Sequence, residues 1–137
     1  MKPTKENRKK FDIDLEYGTI REDKIADMLT NKKIEVKSER GMWMKTGNIC
    51  IEYESYGKPS AIITTEADYW FHNLCIEDDI FCTLIFDVPK LKQLMDKLDF
   101  KKSVCGGDHK ASRMWLVNIR ILFTSDVFKT FKDLKNA

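Results

Sequence analysis

Ile34-Glu35-Val36-Lys37 and, one loop later, Asn48-Ile49-Cys50-Ile51-Glu52-Tyr53-Glu54-Ser55 are the stretches on which the fold turns. In an extended chain, side chains two apart share a face and immediate neighbours oppose each other. Lys33 to Ser38 alternates on that period and reads as a short strand. Ile34 and Val36 take one face, Glu35 and Lys37 the other. Asn48 to Ser55 reads as a second strand, with Ile51 and Tyr53 opposite Glu52 and Glu54. Glu39 to Gly47 reads as a loop broken by Gly41 and Gly47. Such close spacing predicts that the two strands form an antiparallel hairpin.

Outward from this pair, residues 1–12 read as a basic arm, with Lys2, Lys5, Arg8, Lys9 and Lys10 against the single acid Glu6. That charge run suits either solvent or a phosphate backbone. From Asp14 to Thr30 the pattern is helical, Ile25, Met28 and Leu29 sharing a face that extends back to Glu22 and Gly18. Downstream, Tyr56 to Ser60 reads as a turn, Ala61 to Thr64 as a third strand, and Thr65 as the cap of a helix over Glu66 to Leu74. That helix would carry Tyr69, Trp70 and His72. The apolar run Ile80 to Phe86 suits a buried central strand. Asp87-Val88-Pro89 opens a helix to about Leu98, with Leu91, Leu94, Met95 and Leu98 on one face. After Gly106-Gly107, Met114 to Phe123 reads as a strand and Asp126 to Leu134 as a final helix. The order predicts an α/β or α+β domain over residues 13–137, with a central mixed sheet flanked by helices.

Composition agrees with one globular unit. The 137 residues are 42% hydrophobic and 34% charged, enough for a core and too charged for a membrane chain. No apolar run approaches the roughly 20 residues of a spanning helix, and the basic N-terminus has no apolar stretch behind it. A cytoplasmic protein is expected. The net charge of +2 selects no partner. Cys50, Cys75, Cys82 and Cys105 lack the spacing of a zinc site or a disulfide framework.

The chemistry concentrates on the hairpin. If its charged faces coincide, Glu35, Lys37, Glu52 and Glu54 meet on adjacent strands, and Glu22 stands on the otherwise apolar side of the preceding helix. Clustered carboxylates repel unless a cation neutralises them. A hard ion such as Mg²⁺, with Mn²⁺ as a substitute, fits one or two carboxylates and completes its shell with water. Phosphodiester hydrolysis uses that arrangement, with a lysine to orient or deprotonate the nucleophilic water. Alternating Glu and Lys on an exposed hairpin is also ordinary, and cross-strand pairs stabilise it mildly.

Gly18-x-x-x-Glu22 on a first helix, followed by Ile34-Glu35-Val36-Lys37, resembles the PD-(D/E)XK nuclease superfamily. Glu35 to Arg40, Lys45 to Ile49, Ile51 to Glu54, Gly57 to Ser60 and Thr65 to Trp70 further resemble small phage-encoded endonuclease-like proteins. The likeness covers residues 14–75, and the remainder only in its strand–helix order. It implies a restriction-endonuclease-like fold, a Mg²⁺-dependent endonuclease acting on duplex or branched DNA, a host-cell cytoplasmic location and, as in many such nucleases, a dimer. Two registers remain. In one, Glu35-Val36-Lys37 is the (E/D)-x-K strand and an upstream acid such as Asp27 replaces the usual aspartate. In the preferred one, Glu35 takes the aspartate place and Glu52-Tyr53-Glu54 the (E/D)-x-K place. The resemblance then implies metal at Glu35, Glu52 and Glu22, and water handled by Glu54 or Lys37.

Basic and aromatic side chains supply candidate nucleic-acid contacts. Arg40, Trp43 and Lys45 stand in the loop between the strands, where they would meet a backbone or stack on a base. Lys58 and Ser60 follow the second strand, and Lys110 and Arg113 follow the glycine turn. The alternative function is a nuclease-like fold that binds nucleic acid or protein without cutting, or a phage-type accessory protein whose acids are only solvated.

Overall fold

A computed structural model describes Lys2, residues 4–97 and 102–124, Lys129, Lys132 and Asp133. Internal contacts divide the chain into two compact units, Met1–Lys32 and Lys33–Ala137. The first is one helix, α1 (Lys5–Met28), whose N-cap Thr4 accepts from the Asn7 amide at 3.1 Å. The helix therefore starts well before Asp14, and Lys5, Arg8, Lys9 and Lys10 of the basic arm stand on its first turns.

The second unit is mixed α+β, with two sheets instead of one. Its elements are β1 (Ile34–Glu39), α2 (Met42–Thr46), β2 (Asn48–Ser55), β3 (Lys58–Pro59), β4 (Tyr69–Ile76), β5 (Asp79–Asp87), α3 (Val88–Lys97), β6 (Lys102–Gly106) and β7 (Ser112–Asn118). One sheet runs β1-β4-β5 and the other β3-β2-β7-β6. β1 lies parallel to β4, with Glu35 beside Trp70 and Lys37 beside His72. β2 lies antiparallel to β7.

The expected hairpin is thus absent: β1 and β2 sit in different sheets. The short loop between them holds the helical turn α2 and closes on Gly47, at φ 72°, whose amide bonds to the Trp43 carbonyl at 2.8 Å. That left-handed C-cap swings the chain out of β1's plane. Residues 66–74 are also not a helix. Thr65 and the acids after it imitate a cap, but Tyr69-Trp70-Phe71 prefers the extended form, and β4 becomes the middle strand of its sheet. Ala61 to Thr64 is a turn, with Ala61 at φ 47°. β5, expected to be central, is an edge strand with Ile80 and Phe81 exposed. The strand expected over 114–123 ends at Asn118, whose side chain caps a 3-10 turn over Ile119–Phe123. Most of the expected final helix lies outside the described residues.

α3 conforms to its pattern. Asp87 accepts the Lys90 amide at 3.0 Å, and Leu91, Leu94 and Met95 are buried. They join Ile49, Ile51, Ile62, Trp70, Leu74, Val88 and Val117 in a core drawn from both sheets and the helix.

Candidate functional site

β1 buries the wrong face for a surface strand. Glu35, Lys37 and Glu39 are half-buried, whereas Ile34 and Val36 are exposed, Val36 at 55%. A strand whose charged side chains turn inward needs partners for each of them, and each has one. Lys37 Nζ is 3.0 Å from Glu35 Oε1 and 5.8 Å from the Trp70 ring centroid. The Thr65 hydroxyl reaches Glu35 Oε2 at 3.4 Å, and Lys92 Nζ donates to the Thr65 carbonyl at 2.9 Å.

Glu39, the third inward residue, meets His72 Nε2 at 2.9 Å and also accepts the Cys50 amide of β2. The Trp70 indole N–H donates to His72 Nδ1 at 3.0 Å. An indole N–H can only donate, so Nδ1 accepts and the imidazole proton sits on Nε2, facing Glu39. Burial first, and Glu39's charge second, push the Cys50 thiol from its ordinary 9.0 up to about 11. Cys50 therefore stays a thiol at neutral pH.

Between the sheets opens a cleft of about 650 Å³, lined among others by Lys37, Glu39, Arg40, Glu52, His72 and Asp108. Glu52 enters it from β2, its Oε2 held by the Ser60 hydroxyl at 2.6 Å. Ser60 stands at the head of the sharp turn that buries Ile62, whose amide bonds to the Glu52 carbonyl at 3.1 Å. The structure thus brings Lys37, Arg40 and Glu52 to one cleft, with Glu35 beside Lys37.

Other expected residues lie elsewhere. Glu54 does not share Glu52's face: Tyr53 forms a bulge, so Glu52 lies opposite Met114 and Glu54 opposite Arg113. Glu54 and Arg113 pair at 3.1 Å. Trp43 is folded back, donating to the Cys75 carbonyl at 2.8 Å and stacking on Phe81. Its indole is not an exposed platform. Ser60 holds Glu52. Lys45, Lys58 and Lys110 are exposed, Lys110 in a 3-10 turn and Lys58 on β3. Glu22 stands on α1, and Tyr69, Trp70 and His72 are strand residues.

Glu39, His72 and Thr65, expected in a loop, on a helix and as its cap, stand at the site instead. Glu39 continues the parity of Glu35 and Lys37, a signal that ending the strand at Ser38 concealed. Among the described residues, no group of three or more His, Cys, Asp or Glu side chains is gathered closely enough to hold a metal. Mg²⁺ asks for less, one or two carboxylates and water, and the hard oxygens of Glu35 and Glu52 suit it. No described helix is long and apolar enough to cross a membrane. Comparison with protein-family models, with characterised proteins and with solved structures finds no match.

Proposed function

We propose that this chain is a Mg²⁺-dependent endonuclease that hydrolyses DNA phosphodiester bonds in the cleft between its sheets. The supporting observation is the inverted polarity of β1, which turns Glu35, Lys37 and Glu39 inward while leaving Ile34 and Val36 outside. A chain gives up apolar burial in that way when the inward groups have work to do. Glu52 and Glu35 are the residues that would hold the ion. A bound Mg²⁺ supplies an acidified water and neutralises phosphate charge. Lys37 offers an ammonium to the phosphate or the water. Arg40 at the cleft, and the exposed Lys45, Lys58 and Lys110, would draw the DNA backbone.

The experiment is cleavage of supercoiled plasmid and of a branched duplex in Mg²⁺, Mn²⁺ and EDTA, beside Glu35→Ala and Glu52→Ala. Metal-dependent nicking lost in both variants is the expected result. No cleavage of either substrate would overturn the reading. The second reading, a nuclease-like fold that binds nucleic acid without cutting, draws on the 3.0 Å Lys37–Glu35 ion pair, which already neutralises one carboxylate. DNA retention without cleavage is its signature.

A further inference from the structure

We infer that Glu39 and His72 are positioning residues, a buried bracket that holds β2's Cys50–Glu52 segment against β1. Among the described residues, β2 has a full strand partner on one side only, β7. On its other side β3 covers just Glu54 and Ser55. The Cys50 amide therefore lies on a stretch of edge that β3 does not reach, and a carboxylate from the other sheet takes it. That carboxylate, Glu39, is held in turn by His72, which is 1% exposed. His72 is turned by the Trp70 indole, which leaves its donor face toward Glu39. The chain of bonds runs from β4 through β1 to β2 and ends two residues from Glu52. It links the strand carrying Glu35 and Lys37 to the strand carrying Glu52 through the Glu39 side chain and the Cys50 backbone amide.

The inference rests on the proposed function for its consequence: groups that orient metal-binding carboxylates typically change metal affinity roughly 10- to 100-fold when removed. The test uses the full chain as wild type, His72→Phe, His72→Gln and Glu39→Ala. Three quantities are measured: hydrogen exchange at the Cys50 amide, the imidazole nitrogen tautomer by NMR, and Mn²⁺ affinity by calorimetry. The wild type is expected to show the Nε2-protonated tautomer and a protected Cys50 amide. His72→Phe and Glu39→Ala are expected to lose about 10-fold or more of that protection while β6–β7 amides keep theirs, and to bind Mn²⁺ at least about 10-fold more weakly. His72→Gln, whose amide carries an acceptor and a donor, is expected to recover part of both. Should His72→Phe fail to fold, Glu39→Ala decides, since the Glu39 side chain, 14% exposed, keeps some contact with solvent where the His72 ring, at 1%, has almost none. Unchanged Cys50 protection, or unchanged Mn²⁺ affinity in a variant that merely melts lower, overturns the inference. A wild type that binds no Mn²⁺ overturns the metal reading instead, and Cys50 exchange alone then decides the bracket.

Discussion

Glu52 and Glu54, two residues apart on β2, point to opposite faces of their sheet. The extra residue Tyr53 makes them oppose Met114 and Arg113, which are adjacent on β7 and so face opposite ways. Tyr53 is held in place by stacking on Trp115, ring centroids 4.6 Å apart. One carboxylate is thereby delivered to the cleft, and the other to an ion pair with Arg113.

Glu52→Ala is accordingly expected to lower plasmid cleavage by about 100-fold or more, whereas Glu54→Ala stays within about threefold of wild type. An exposed pair such as Glu54–Arg113 contributes at most about 1 kcal/mol to stability. Initial rates of nicking in Mg²⁺, alongside melting curves, check both.

Ser60→Ala removes the hydroxyl that holds Glu52 Oε2. Stability should fall by about 1 kcal/mol. Metal affinity should fall roughly 10-fold as the carboxylate loses its orientation. Calorimetric titration with Mn²⁺ separates this from a phosphate-contact role, which would weaken DNA binding and leave metal binding alone.

Cys50 makes the fold sensitive to alkali. Its thiol rises from 9.0 to about 11 in the folded chain. The folded state therefore favours the neutral thiol. The resulting stability is fully present below about pH 9 and is lost as pH rises through about 11. Denaturant melts at pH 8, 10 and 11 should show a drop in the wild type that is smaller in Cys50→Ala. At pH 8, a thiol-alkylating reagent should modify exposed Cys105 well before Cys50.

Leu91→Ala should cost about 2–5 kcal/mol, because Leu91 is 1% exposed in the shared core. Val36→Thr should change stability by less than about 0.5 kcal/mol despite standing in the middle of a strand, since Val36 faces outward. Paired chemical denaturation curves test the contrast, and with it the inverted polarity of β1.

The boundaries of β2 and the start of α3 were legible, and those of β1 to within one residue at each end, because each rests on local signals: period-two alternation, or a capping Asp87 followed by Leu91, Leu94 and Met95. Pairing was not. Whether β1 meets β2 or β4 depends on contacts between distant residues, and the alternation of charges looks the same in either case. The bulge at Tyr53 carries no Gly or Pro to mark it. β4 misled for a different reason. Thr65-Glu66-Ala67-Asp68 has the composition of a helix start, yet the Thr65 hydroxyl accepts the Ala67 amide at 3.2 Å within a turn, and Asp68 accepts the Lys33 amide at 2.9 Å. Of the candidate site, the residue types on β1 and β2 could be read. Their inward direction could not, because alternation alone does not tell which face is buried.

The pairing of β2 with β7 sets a timetable. β2 occupies residues 48–55 and, among the described residues, its long partner occupies 112–118, so the ladder that aligns Glu52 cannot close until residue 118 has left the ribosome. Non-local pairing of this kind folds slowly, and a nascent chain holds Glu35 and Lys37 without the opposing strand in place. The chemistry proposed for the cleft would then have to wait until residues 112–118 have been made, and a chain stopped before residue 112 would lack the strand that aligns Glu52 however well its first sheet had formed.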